Sequence, residues 1–206
     1  MKIIKALLDL IFPPKCEVCN SLGHDLFCQR CLAQISYLKP STFVHSIGLY
    51  EGSLKKAIRK IKYNKRTRLV KPLGEIMARY ILANIGSKAL DFLVPVPLHY
   101  NRLHERGFNQ SELLSHQISN MIGVPTVIGL LHRIKDTKPQ FDLPKKDRFK
   151  NVKGAFIINA PQFVINKKIA LIDDIYTTGS TISECTKVLR DAGTEEIHVF
   201  TLSRAI

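Results

Sequence analysis

The spacing of apolar positions changes rhythm near residue 91. Before that point helical intervals dominate. Ile3, Ile4, Leu7, Leu8 and Ile11 recur at helical spacing, so residues 1–12 predict a short helix with one greasy stripe, ended by Pro13 and Pro14. Residues 43–50 predict a strand. Gly52 and Ser53 then cap a helix that turns Leu54, Ala57, Ile58 and Ile61 to one side. A further helix over residues 72–84 places Leu73, Ile76, Met77 and Tyr80 inward. From residue 91 strand, loop and helix alternate. The pattern predicts a strand over 91–94, a basic loop over 97–106, and a helix over 109–121 with Leu113, Leu114, Ile118 and Met121 inward. It continues with a short strand over 126–128, a strand over 169–172, a helix over 181–191 closed by Gly193, and a last strand over 197–202. Such alternation argues for a parallel α/β sheet with right-handed crossovers. Residues 132–153 are polar and too long for an ordinary connection, which predicts a functional or mobile loop. Residues 39–42 read as a linker, dividing the chain into a small module (1–39) and an α/β domain (40–206).

Composition narrows the class. With 206 residues, 45% of them apolar, the chain supports one core and a small appendage. No run approaches the ~18 uninterrupted apolar residues of a membrane-spanning helix. Lys and Arg total 31 against 17 Asp and Glu, a net charge of +14. Such a surface predicts a polyanionic partner: nucleic acid, a phosphorylated small molecule or an acidic membrane leaflet. Lys5 and Asp9 interrupt the N-terminal stripe and no small-residue cleavage site follows, so it does not read as a signal peptide. The stripe either packs on the protein's own body or rests on a membrane surface as a peripheral foot. The expected compartment is the cytoplasm.

Five cysteines add chemistry. Cys16-x2-Cys19 and Cys28-x2-Cys31 lie eight residues apart. Each pair presents two thiolates to one ion, and two facing pairs complete a closed tetrahedral shell, which makes a structural zinc site the leading reading. An iron–sulfur cluster, a redox pair or unliganded thiols are the alternatives. Cys185 falls among Ile182, Val188 and Leu189 and reads as core.

Between residues 55 and 71 nine residues are Lys or Arg and none is acidic. Burying Leu54, Ala57, Ile58 and Ile61 turns Lys55, Lys56, Arg59 and Lys62 outward together, with Lys65, Arg66 and Arg68 following. An ordinary solvated face mixes both signs. This one suits sequence-independent binding of a phosphate backbone, with a solvated face as the alternative. Tyr50 and Tyr63 are either stacking surfaces for unpaired bases or partly core.

The segment from Ile169 to Thr181, IALIDDIYTTGST, carries the most information. Four apolar residues form a buried strand, and Asp173 and Asp174 stand at its carboxyl end, where open α/β sheets bind ligands. A turn of Tyr176, Thr177, Thr178, Gly179, Ser180 and Thr181 leads into a helix, whose N-terminal amides and hydroxyls suit a phosphate dianion. The two carboxylates suit vicinal ribose hydroxyls. No lysine follows the glycine, against a P-loop. Upstream, the segment VPVPLHYNRLHERGFNQ ends a strand. Its Arg102 and Arg106, four residues apart, are candidates for a pyrophosphate or for nucleic-acid phosphates, unless they are simply solvated. His99 and His104 read as ordinary surface residues, with donors to the ligand as the alternative.

The acidic segment resembles the phosphoribosyl pyrophosphate (PRPP) motif of type I phosphoribosyltransferases. That resemblance implies a parallel sheet with helices on both faces. It also implies Asp173 and Asp174 on the ribose hydroxyls, residues 176–181 around the 5′-phosphate, Pro97, Leu98, Arg102 and Arg106 on the pyrophosphate side, and a bridging Mg2+. Thr177 stands where many purine-salvage members carry an acidic base, so purine salvage is not expected. The paired cysteines, VPVPL…R…RGFNQ and IDDIYTTGST together resemble the ComF competence family over nearly the whole chain. Membership would imply a cytoplasmic factor of natural transformation that handles single-stranded DNA at the inner membrane, together with other DNA-uptake proteins. An active transferase delivering phosphoribose to a small acceptor is the alternative. Glutamine-dependent chemistry needs a nucleophilic N-terminal cysteine and a glutaminase domain, which the sequence does not show.

Overall fold

A computed structural model describes residues 13–23, 25–137 and 148–205. The expected N-terminal helix and its stripe lie outside the described residues, as does the middle of the long polar loop. The first helix, α1 (Gln29–Ala33), carries the second cysteine pair. Then follow β1 (Val44–Leu49), α2 (Gly52–Asn64), α3 (Val70–Asn84), β2 (Phe92–Pro95), α4 (Tyr100–Arg106) and α5 (Gln110–Ile122). The rest comprises β3 (Leu131–Arg133), α6 (Arg148–Val152), β4 (Phe156–Ile158), β5 (Lys168–Tyr176), α7 (Ser180–Asp191) and β6 (Glu196–Arg204).

Four strands form a parallel sheet in the order β1-β6-β5-β2, with Leu171 of β5 opposite both Val94 and Val199. Alternation along β5 assigns side chains to two cores. Ala170 and Ile172 face α2, α3 and α5, meeting Leu54, Ile58, Leu73, Met77, Leu114 and Ile118. Ile169 and Leu171 face the opposite layer, where α7 supplies Ile182, Cys185 and Leu189 and the β3–β4 pair supplies Leu131 and Phe156. Both faces are covered by helices, which a parallel sheet requires. Cys185 is core, as its neighbours predict.

The cysteine module does not hang free of this body. Cys16, Val18, Phe27, Cys31 and Ile35 belong to the same buried cluster as α2. Ser53 Oγ donates to Cys31 O at 2.6 Å, and residues 36–38 run along the outer edge of β1 through Leu38 N to Ile47 O and Leu49 N to Ser36 O.

Four expectations are corrected. Residues 100–106 form α4 rather than a loop. His99 caps it by accepting from Asn101 N at 3.3 Å, and Gly107 ends it at φ +83°; the helix buries no residue, so it left no apolar signature. Residues 126–128 make only a fragment beside β2, since Leu93 N bonds Pro125 O and Val127 N bonds Leu93 O. The ends of the expected long loop, 132–153, are ordered into β3 and α6, and β3 pairs antiparallel with β4. Met121 points outward and Ile122 takes its inward place, continuing the four-residue step from Leu114 and Ile118.

Candidate ligand cleft and four-cysteine site

β5 runs longer than its apolar run, and its last four residues, which begin with the acid pair, reach the end of the sheet. Asp173 and Asp174 are both buried. The start of α5 holds them. Asn109 caps that helix by accepting from Ser111 N at 3.0 Å while its Nδ2 donates to Val96 O at 3.1 Å, which pins the helix start against the end of β2. Ser111 Oγ then donates to Asp173 Oδ1 at 3.0 Å, and Gln110 Nε2 reaches Asp174 Oδ1 at 3.4 Å. The Asp174 amide donates to Asp173 Oδ1 at 2.8 Å. Burial pushes the Asp173 carboxyl up to about 7, and the neighbouring Asp174 charge adds to the rise; Lys62 and the two hydrogen bonds oppose it. The site therefore carries a proton that exchanges near neutral pH.

The turn after β5 is built around Gly179, at φ +79°, where a Cβ would lie 2.8 Å from Tyr176 Cζ. Only glycine fits both the backbone and the close ring. The Tyr176 ring is in turn covered by the Arg204 guanidinium at 4.7 Å. Thr178 Oγ1 donates to Ser180 Oγ at 3.2 Å. Residues 173, 175–177 and 179–182 enclose a recess of only about 10 Å3 at the start of α7.

Beside it opens a cleft of about 710 Å3. Asp173, Asp174, Thr177 and Thr181 form its floor; Pro97, Leu98, Arg102 and Arg106 form one wall; Tyr50, Lys55, Arg59, Lys62 and Tyr63 form the other. Arg106 donates to Gln110 Oε1 and Arg102 to Thr137 O at 3.0 Å. Burial lowers the Arg106 pKa, as it does that of Arg133, which lines the same cleft. Six cations and two carboxylates thus converge on one volume.

The structure divides the basic stretch. Lys62 does not face outward with its neighbours: its Nζ lies 2.5 Å from Asp174 Oδ2, with 16% of its side chain exposed. Lys55 and Arg59 are exposed but border the cleft, while Lys56 and Lys65 are exposed and do not line it. Lys60 is turned the other way, donating to Glu17 O at 2.6 Å, and Arg66 and Arg68 pair with Glu17 at 3.6 and 4.0 Å. The stretch therefore does not stand apart from the acid pair. Its acidic partners come from other elements, which a local reading of α2 cannot see.

Gln110, Ser111 and Arg133 escaped the sequence reading. The polar run Asn109-Gln110-Ser111 ahead of an amphipathic helix was the available signal for the first two. Arg133 sits on a three-residue strand without local pattern.

Across the molecule from α7, the sulfur atoms of Cys16, Cys19, Cys28 and Cys31 lie within 4.8 Å of one another and form a candidate metal site. Cys16–Cys31 and Cys19–Cys28 are 3.8 and 3.6 Å apart. Hydrogen bonds from the Ser21 hydroxyl and backbone, then from Arg30, lower the Cys19 thiol to about 5, favouring the thiolate that a metal needs.

A parallel sheet ending in a buried acid pair and a glycine turn, sharing one core with four thiols that could hold a metal ion, defines an α/β protein with a candidate ligand cleft. The chain is 34% identical to Competence protein F of Haemophilus influenzae over 198 residues, covering 91% of this chain and 84% of that relative. It is 29% identical to the DNA utilization protein YhgH of Escherichia coli K12, covering 96% and 86%. It belongs to the competence protein F family. No family model matches the chain. Among solved structures it is similar to a purine phosphoribosyltransferase from Pyrococcus horikoshii, with 14% identity, 66% of this chain and 85% of that one covered, and a TM-score of 0.41. Among the described residues no helix is long and apolar enough to cross a membrane.

Proposed function

We propose that this protein binds PRPP with Mg2+ and serves natural transformation in the cytoplasm, handling incoming single-stranded DNA at the inner membrane. One observation carries the reading: a buried acid pair, with Thr177 and Thr181 from the two ends of the glycine turn, shares a single cleft with six Lys and Arg side chains. Asp173 and Asp174 accept from the ribose hydroxyls, the turn amides and α7 hold the 5′-phosphate, and Arg102 and Arg106 hold the pyrophosphate. Mg2+, when bound with PRPP, would neutralise part of the pyrophosphate charge beside Asp173 and Asp174. The names of the two relatives support the role in DNA uptake, and the exposed Lys56 and Lys65 extend the cationic surface beyond the cleft.

The four thiols fit zinc. A tetrahedral ion with bonds of about 2.3 Å separates its sulfurs by about 3.8 Å, close to the two distances above. Cys16, Cys19, Cys28 and Cys31 would fill all four positions, so the ion would hold the module together.

The second reading, transfer of phosphoribose to a small acceptor, is favoured by the length of the cleft, which continues past the acid pair to Tyr50 and Tyr63. Both readings require PRPP. Titration calorimetry with PRPP and Mg2+ should show one site per chain. Asp173→Asn with Asp174→Asn should weaken it at least a hundredfold, because hydrogen bonds to a charged acceptor contribute about 1.5–3 kcal/mol each. An unchanged affinity in the folded double variant would refute the site; pyrophosphate release with an added acceptor would establish the second reading.

A further inference from the structure

The proposed PRPP site and the proposed nucleic-acid face are not separate places. Lys55, Arg59 and Lys62 are spaced four and three residues apart on α2, so one side of the helix brings all three to the cleft, with Tyr50 and Tyr63 in the same wall. Lys60, between them, is pulled to the opposite side by Glu17 O and Val18 O. Lys62 completes a continuous chain of contacts: its ammonium meets Asp174, Asp174 accepts from Gln110, and Gln110 accepts from Arg106 on the far wall. A phosphate drawn to α2 and a ribose drawn to the acid pair therefore bid for the same lysine.

We propose that the cleft is one anion site with two mutually exclusive occupants, Mg-PRPP and a single nucleic-acid strand, which contest Lys62. The inference rests on the function proposed above. Charge and size both support exclusion. Six cations and two carboxylates leave a surplus of four positive charges when both acids are ionised, enough for one highly charged ligand and too few for two. The volume of about 710 Å3 lies within the range of a site for one ligand. With PRPP bound, Lys62 stays engaged with Asp174 at the ribose and the ligand fills the space in front of Lys55 and Arg59, leaving the strand only the outer lysines. With a strand bound, its phosphates draw Lys62 from Asp174 and fill the cleft that PRPP needs.

The test uses the full chain and a fluorescein-labelled oligothymidylate, followed by anisotropy at fixed ionic strength while Mg-PRPP is raised. PRPP and oligonucleotide are first titrated separately; failure of either to bind removes the proposed function, and this inference with it. When both bind alone, exclusion requires the apparent oligonucleotide Kd to rise in proportion to PRPP, about elevenfold at ten times the PRPP Kd. Sodium sulfate at equal ionic strength should give no such proportional rise. A Kd that stays constant, falls, or levels off within about twofold would mean a ternary complex and overturn the inference while leaving PRPP binding intact. Two variants locate the contest. Lys62→Gln should shift both affinities by at least about threefold, whereas Lys56→Gln, outside the cleft, should weaken the oligonucleotide alone and reduce its salt dependence. An unchanged PRPP affinity in Lys62→Gln would remove Lys62 from the account.

Discussion

Replacing Asp173 by Asn removes a charge that the fold holds against its own stability. The ordinary carboxyl value of 3.8 is raised to about 7, chiefly because burial strips water from the anion and secondarily because Asp174 repels it. The rise from 3.8 to about 7 corresponds to about 4 kcal/mol. Below about pH 4 the side chain is neutral in both folded and unfolded protein, and the cost vanishes. As pH rises from there to about 7, the folded protein keeps a proton that the unfolded chain has released, so stability falls across this window and stays lowered above it. Asn retains an oxygen that accepts from Ser111 Oγ and the Asp174 amide, so the local hydrogen bonds survive. Urea unfolding of parent and variant at about pH 5 and about pH 8 isolates the effect, since most other titrating groups cancel in the difference. Asn should be the more stable at both, and its advantage should grow by roughly 2–3 kcal/mol between them. An advantage that does not change with pH, or a variant less stable at the higher pH, would show that Asp173 is not held near neutrality by burial.

Gly179→Ala should destabilise the protein by roughly 1–2 kcal/mol and abolish PRPP binding, because it combines a positive φ with a clash against Tyr176; adding Tyr176→Ala should relieve the clash and leave the backbone strain, and a variant as stable as the parent would refute the tight turn. Metal analysis should find one zinc per chain. Chelation should remove amide-exchange protection from α2 around Leu54 and Ala57 as well as from residues 13–38, because both share one core; loss confined to residues 13–38 would show that the module is mechanically independent.

Much of this was legible before any coordinates. The acid pair was visible because a run of four apolar residues ends abruptly in two carboxylates and a glycine turn, a pattern no ordinary strand needs. The paired cysteines were visible for the same reason: spacing alone brings four thiols together. The fate of Lys62 was not legible. Helical periodicity places it on the polar side of α2, and only the meeting of α2 with β5 turns that side into the wall of a cleft. α4 was missed because a helix that buries nothing carries no amphipathic signal, and its two caps, His99 and Gly107, are read only once the helix is known. Short pieces such as β3 lie below the length at which alternation becomes a pattern.

The strand order has a consequence for the newborn chain. Among the described strands β1 pairs with β6 alone, so that Ser46 meets Thr201 across 155 residues of sequence. During synthesis β1 and the apolar side of α2 emerge long before the strand that will floor them. At roughly 5–20 residues per second the interval is about ten to thirty seconds. Through that time Ile47, Leu54 and Ile58 have no sheet to rest on, and the nascent protein must keep them from strangers. Its exposure to aggregation during synthesis is thus set by topology, and should be greatest where translation is slow.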